Sequence, residues 1–421
     1  MKKNIRRVKL LLYIIYIFVG WYIVMPISYL LKKFFKKRYI LFIGRDNGKF
    51  LDNVKYLYLY FLKRKKEIEN KKLEILFLTE NKNIYHLLKE NKQPVLYFPS
   101  IKGLRALLST KLLIVDNWMW IKNFKNFILK AVKKIQLWHG VPIKYIEFRD
   151  RNEFKNFKSR ILNKLNRLIG IFTNYDIVIS TSPFYTEKVF SKAFNAKSFW
   201  ETGYPRNDIF FNDLDKYNLL FTDKKALNII RNKKKEGYKT ILYAPTFRDS
   251  GGDAFTDGAL NGEKMDIFLT EMKTLMVIKF HPDPNFNYQL FSDCKNILFY
   301  DNDKDVYPLL KDVDCLITDY SSIYMDYLLT DNPIIFFPYD YDKYITKDRE
   351  IQFEYNWITP GEKAFKQEEL EALIKKILVD KIDEFKEKRK EIRKIAFKYQ
   401  DGSASERVFI KILNLLKSIE E

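Results

Sequence analysis

A chain that repeats one beat of short apolar run and longer helical stretch can fold in few ways, and this one repeats it throughout. "YILFIGR" (39–45), "LEILFLTE" (73–80), "PVLYFPS" (94–100), "KLLIVDNW" (111–118), "KIQLWHG" (134–140) and "YDIVISTS" (175–182) read as buried strands. Between several of them lie segments such as "NVKYLYLYFLKRKKEIE", whose apolar residues recur at helical spacing. The second half continues with "KTILYAPT" (239–246), "LMVIKFHP" (275–282), "NILFYD" (296–301), "DCLITD" (314–319) and "NPIIFFPYD" (332–340). Such alternation specifies βαβ units around parallel sheets. A length of 421 residues, 47% of them hydrophobic, suits two domains with a core each. The expectation is an α/β protein of two doubly wound domains facing a central cleft. The divisions are 1–38 (basic and apolar), 39–212 and 213–421, the last ending in helices. Within that tail "DGSAS" marks a break, where Ser403 or Ser405 would cap the final helix.

The amino terminus obeys another rule. Residues 10–31, "LLLYIIYIFVGWYIVMPISYLL", are apolar, and ten basic and no acidic side chains fall in the first 40 residues. As a helix the run would be about 33 Å long, enough to cross a hydrocarbon core. Gly20 and Pro26 equally allow a bent helix lying in one leaflet, and the balanced flanking charge gives no orientation. Membrane attachment is expected in either pose.

Outside that region the net charge of +22 is dispersed among mixed Lys/Glu faces with no nucleic-acid-binding pattern, so no nucleic acid partner is expected. A basic body fits an anionic membrane or phosphorylated substrates. Cys294 and Cys315 lack metal-ligand spacing, no acidic metal-binding cluster stands out, and neither a metal nor a cofactor is expected. Histidine chemistry must come from His86, His139 or His281.

The unusual strings gather at carboxyl ends of strands, where such folds bind nucleotides. "QLWHGVPIK" (136–144) puts His139 at a strand tip, as a base for an attacking hydroxyl or as a structural histidine held by a carbonyl. "TGYPRND" (202–208) places Arg206 after a turn, as a phosphate fork or a surface arginine. "LYAPTFRD" (242–249) exposes Thr246 after Pro245, and "IKFHPDP" (278–284) sets Lys279 and His281 on one side of a strand. "LITDYSSIYMD" (316–326) reads as strand, turn and helix mouth, with Ser321 and Ser322 offering hydroxyls and amides to a phosphate. Asp326, one helical turn on, would meet a sugar or glycerol hydroxyl; N-capping by Asp319 or Ser321 is the alternative.

In this order and spacing the strings resemble the CDP-glycerol glycerophosphotransferase family, which makes teichoic acids and related capsule polymers in bacteria. "WHGVPIK" resembles its Trp-His-Gly-x-Pro-x-Lys, "YAPTFR" its Tyr-Ala-Pro-Thr-aromatic-Arg, "KFHP" its Arg-x-His-Pro, and "TDYSSIYMD" its Thr-Asp-Tyr-Ser-Ser-x-x-x-Asp, over about residues 134–340. The resemblance implies a GT-B-like architecture. It implies transfer of glycerol phosphate from a CDP-glycerol donor to a hydroxyl of a polyprenyl diphosphate-linked acceptor at the cytoplasmic face of the cell membrane, releasing CMP. It makes His139 the general base and His281 a second catalytic imidazole. Trp138, Lys144, Arg206, Pro245, Thr246, Arg248, Lys279, Ser321, Ser322 and Asp326 would bind substrate. Lys279 departs from the family's usual arginine, replacing a fork with a point charge. CDP-ribitol or a nucleotide sugar is the alternative donor, and a non-catalytic, membrane-attached basic binding protein the alternative class. Primase or polymerase action and the oligomeric state are left open.

Overall fold

The structure is a computed structural model that describes residues 2–35, 38–69, 72–147, 174–280 and 286–420. Strands β1 (Arg38–Ile43), β2 (Leu73–Thr79), β3 (Val95–Tyr97), β4 (Thr110–Val115), β5 (Lys133–Gln136), β6 (Tyr175–Ser180) and β7 (Ala196–Glu201) form one sheet in the order β3-β2-β1-β4-β5-β6-β7. β8 (Lys239–Tyr243), β9 (Thr274–Ile278), β10 (Ile297–Phe299), β11 (Cys315–Thr318), β12 (Ile334–Phe336) and β13 (Glu362–Lys363) form the second, in the order β10-β9-β8-β11-β12-β13. The named strands pair in parallel throughout. β13, two residues long, lacks an apolar run, and β7 has only its Phe199-Trp200 pair.

Continuous burial explains the apolar runs. Ile40, Leu41 and Phe42 in β1 and Leu112 to Val115 in β4 are all fully enclosed, as strands covered on both faces must be. Each sheet reverses its strand order once, between β1 and β4 and between β8 and β11. Those switch points are where a doubly wound sheet opens a crevice at its carboxyl edge.

The two lobes are joined by buried polar contacts. Lys55, on the helix Asp52–Lys63 of the first lobe, is fully enclosed. Its ammonium donates to Asp305 of the second lobe at 2.7 Å and to the carbonyls of Asn218 (2.6 Å) and Leu220 (2.8 Å). All three of its N–H groups are thereby used. The chain changes sheets between β7 and β8, but its last helix, Ala404–Glu420, returns to the first lobe, with Phe409 at 4.8 Å from the Phe61 ring. The last helix, although it falls within 213–421, thus packs on the first lobe. Its first amides, Ala404 and Ser405, donate to Asp208 of the first lobe at 2.8 Å each, so the cap comes from there rather than from the local serines.

The amino-terminal segment comprises helix Lys2–Val19, a wider π-turn at Gly20–Val24 and helix Met25–Leu31. The stretch Leu11–Phe34 is long and apolar enough to cross a membrane, and most of it faces outward. Its middle rests on the first lobe. The Phe124 amide donates to the Tyr16 hydroxyl at 2.9 Å, and Trp21 meets Phe127 edge-on. A Cβ on Gly20 would lie 2.2 Å from the Phe127 ring, so the contact requires glycine.

Replacing Lys55 with Ala leaves Asp305 buried and unpaired, and is expected to cost about 3–5 kcal/mol. The urea midpoint of the purified protein measures this, and the apolar pair Lys55→Met with Asp305→Leu should recover much of the loss.

Candidate active site

Between the lobes lies a cleft of about 300 Å³, walled by the carboxyl ends of both sheets. The first lobe contributes Arg45, Asp46 and Lys49 after β1, Asp52, His139 after β5, and Arg206. The second contributes Pro245 after β8, Lys279 and Phe280 after β9, Lys304 to Tyr307, and Ser321 to Ile323 after β11. The cleft thus gathers six expected residues: His139, Arg206, Pro245, Lys279, Ser321 and Ser322. His281 lies outside the described residues.

His139 has both features that were set against each other as alternatives. Its Nδ1 lies 2.9 Å from the backbone carbonyl of Asp116, which follows β4. A carbonyl only accepts, so Nδ1 carries the proton and the Nε2 lone pair is left for a substrate hydroxyl. Burial, then the charge of Arg45, lowers its pKa to about 4, against the opposing pull of Asp116 and Asp52, so the ring is neutral at physiological pH. Trp138, assigned to substrate, lies instead behind this ring, buried, with centroids 4.1 Å apart. Its φ of 55° turns the backbone so that one residue packs inward and the next faces the cleft.

Arg206 is not an open phosphate fork. It is 2% exposed; its Nη1 donates to Asp52 (2.8 Å) and to the His139 carbonyl (2.7 Å), and its Nη2 to Asp326 (2.6 Å). Asp326 is correspondingly corrected. It is fully buried, takes a second bond from the Tyr307 hydroxyl at 2.9 Å, and does not line the cleft. Arg206 belongs to the first lobe and Asp326 to the second, so the pair holds the lobes together beside His139. Gly140 sits in this seam, where a Cβ would come 3.0 Å from Ser322 Oγ.

Three further assignments move away from the substrate. Arg248 is buried between Asp319 (2.6 Å) and Asp340 (2.8 and 2.9 Å), fixing the loop after β8 to those after β11 and β12. Lys144 reaches the Tyr344 hydroxyl at 3.2 Å, where burial lowers its pKa to about 8, and is absent from the cleft wall. Thr246 also lies off that wall: its amide donates to Asp319 at 2.8 Å, while its buried Oγ1 has no partner.

At the mouth after β11 the helix is short, Ile323–Tyr327, continuing as a 3₁₀ turn to Thr330, so its dipole is small. Ser322 occupies the cap position without a side-chain cap bond, and Asp319 is directed to Thr246 and Arg248. The serine hydroxyls are thus not consumed in capping. Lys279 stands opposite, donating to the carbonyls of Asp301 (3.2 Å) and Asn302 (2.9 Å), and burial lowers its pKa to about 8. Among the described residues, two carbonyls occupy two of its three donors, leaving one for an anion.

No local string announces Arg45, Asp52, Lys304 or Tyr307. Arg45 does close the quoted run "YILFIGR", and its position past a strand tip was a usable signal. It pairs through Nε with Asp52 at 3.1 Å on the cleft wall. Among the described residues no cluster of His, Cys, Asp or Glu has the arrangement of a metal site.

A family model described as CDP-Glycerol:Poly(glycerophosphate) glycerophosphotransferase matches residues 25–414. The chain belongs to this family. It is thus a CDP-glycerol glycerophosphotransferase, and the fold is the GT-B-like one. The chain is 27% identical over 399 residues to a teichoic acid glycerol-phosphate transferase of Staphylococcus aureus, covering 90% of this chain and 94% of that one. Over 329 residues it is 32% identical to a teichoic acid poly(ribitol-phosphate) polymerase of Bacillus spizizenii, covering 72% of this chain and 47% of the other. The solved wall teichoic acid polymerase TagF has the same fold, with a TM-score of 0.69 at 23% identity over 93% of this chain and 91% of that one.

For a glycerophosphotransferase with this histidine, kcat/KM reports the pKa of the free enzyme. A base lowered to about 4 is deprotonated throughout the neutral range. The profile should therefore stay level from about pH 7 down to about pH 5.5, with the Lys279 ammonium charged over that range. A bend at the ordinary histidine value would mean that His139 is solvated.

Proposed function

We propose that the protein transfers glycerol phosphate from CDP-glycerol to a terminal hydroxyl of a teichoic acid acceptor carried on a membrane lipid, releasing CMP. The observation that carries this reading is the neutral His139 imidazole, with no partner at Nε2 among the described residues, in one cleft with Ser321, Ser322 and Lys279.

The acceptor hydroxyl attacks the phosphorus of the glycerol phosphate. The new P–O bond forms as the bond to the bridging diphosphate oxygen breaks, the proton passes to His139 Nε2, and the negative charge leaves on CMP. Such a transfer asks mainly for alignment and for compensation of charge on oxygen. Lys279 and the polar groups at Ser321 and Ser322 would meet the diphosphate from the second lobe. The first lobe contributes the base and the Arg45 guanidinium on the acceptor side. A bound diphosphate would offset the arginine charges that depress the imidazole, raising its pKa toward the range where a base is effective.

Attachment to the membrane follows from the apolar segment, and its docking favours the in-plane pose. Tyr16, Gly20 and Trp21, in the middle of the segment, touch the lobe. A helix whose midpoint rests on a charged, water-soluble lobe cannot also lie at the bilayer midplane. The exposed side chains of Leu12, Ile15 and Phe18 would enter one leaflet, at the cytoplasmic face where a nucleotide donor is available.

His139→Ala keeps the backbone carbonyl that binds Arg206, so it removes the base and little else. CMP release in the presence of acceptor should fall about 10²–10⁴-fold with donor affinity nearly unchanged. Equal turnover by the variant would end the assignment. The 32% identity to a ribitol-phosphate polymerase keeps CDP-ribitol as the second donor, and direct competition between the two donors decides between them.

Serine at positions 12, 15 and 18 together should shift the protein from the membrane pellet to the supernatant by at least about tenfold. In sealed inverted vesicles a tag before Lys2 should be open to protease on the same side as the catalytic lobes. Protection of that tag would indicate a spanning helix instead.

A further inference from the structure

The first lobe has a second cavity, of about 370 Å³, whose lining includes Lys130, Lys133, Lys134 and Lys197 with one carboxylate, Asp176. Lys133 and Lys134 open β5, Asp176 lies at the start of β6 and Lys197 at the start of β7. These strands are parallel, so the cavity is at their amino ends, on the opposite edge of the sheet from His139. Doubly wound sheets bind nucleotides at the carboxyl edge, and this cavity is not an extension of the cleft.

Its charge is unbalanced. Asp176 is already committed, pairing with Lys197 at 2.8 Å and accepting from the Lys134 amide at 2.9 Å. The Lys134 ammonium is buried and donates to the carbonyls of Lys130 (3.0 Å) and Val132 (2.9 Å). Burial, then the charges of Lys130, Lys32 and Lys197 against the pull of Asp176, lower its pKa to about 8. Four ammonium groups around one engaged carboxylate repel one another, and a bound anion would relieve that repulsion.

The neighbourhood says which anion. The Lys130 ammonium lies 5.0 Å over the ring of Trp21, within the outward-facing apolar segment, and Lys32 closes that segment. Lipid phosphates sit at the level where the apolar face of an interfacial helix gives way to its basic end. We propose that this cavity binds the phosphate of an anionic lipid headgroup, fixing the rotation of the first lobe on the membrane so that the cleft meets its acceptor. The inference rests on the in-plane attachment proposed above.

The test compares the full-length protein with Lys130→Gln/Lys133→Gln/Lys197→Gln, and with Lys233→Gln/Lys234→Gln/Lys235→Gln as a control of equal charge loss. Binding is measured to phosphatidylcholine vesicles with and without about 30 mol% phosphatidylglycerol, where each lysine at the surface contributes roughly fivefold. The pocket variant should lose about 100-fold of its preference for the anionic vesicles, and the control less than about threefold. Monomeric dihexanoyl-phosphatidylglycerol should bind the parent protein at one site that the pocket variant lacks. CMP release with a water-soluble acceptor should be unchanged, which separates this proposal from the transferase reading. Equal losses in both variants would reduce the site to diffuse attraction and overturn it. Inorganic phosphate binding as tightly as the short-chain lipid would overturn the headgroup assignment, and loss of all vesicle binding by the parent would overturn the proposal together with the attachment.

Discussion

The Arg206 guanidinium is the joint on which this molecule turns. It is enclosed where the lobes meet and bonded to Asp52 of the first lobe, Asp326 of the second and the carbonyl of His139. A guanidinium cannot shed its proton, so enclosing it demands fixed acceptors, and supplying them from both lobes locks their relative position. The same cation holds the backbone of His139. Lobe closure and the placement of His139 are therefore one electrostatic problem, with Lys55 and Asp305 repeating the solution a few residues away.

Around that joint charge is graded by exposure. The innermost cations are matched by carboxylates: Arg206 by Asp52 and Asp326, and Arg248 by Asp319 and Asp340. Nearer the opening, Lys279 rests on carbonyl oxygens only, and Arg45 shares Asp52 with Arg206. Positive charge is thus compensated in the walls and left in excess at the surface a diphosphate would touch. His139 is neutral first because it is buried, and the charge of Arg45 further disfavours a second proton on the ring.

Residues that looked alike as strings part company once folded. Lys279 and Arg206 were both candidate phosphate ligands, yet Lys279 meets the opening beside two carbonyls while Arg206 is 2% exposed and held by two carboxylates and a carbonyl. Ser322 and Asp326 share a helix face four residues apart, but the first meets the cleft and the second meets a buried guanidinium. Burial depth, which a local string does not record, made the difference. Trp138 and Lys144 show the same limit, flanking the base in sequence while packing away from it.

The strands, their parallel pairing and the edge where the unusual residues collect were determined by sequence alone. Apolar runs of strand length separated by helical spacing have few ways to bury themselves, and a parallel sheet puts every strand tip on one side. What only the tertiary structure decided was partnership across the seam. Asp305 and Asp326 of the second lobe meet Lys55 and Arg206 of the first over separations of 250 and 120 residues. The last helix likewise finds its cap at Asp208 of the first lobe, 196 residues upstream. Such contacts depend on how two independently legible sheets face each other, and no periodicity within either half encodes that geometry.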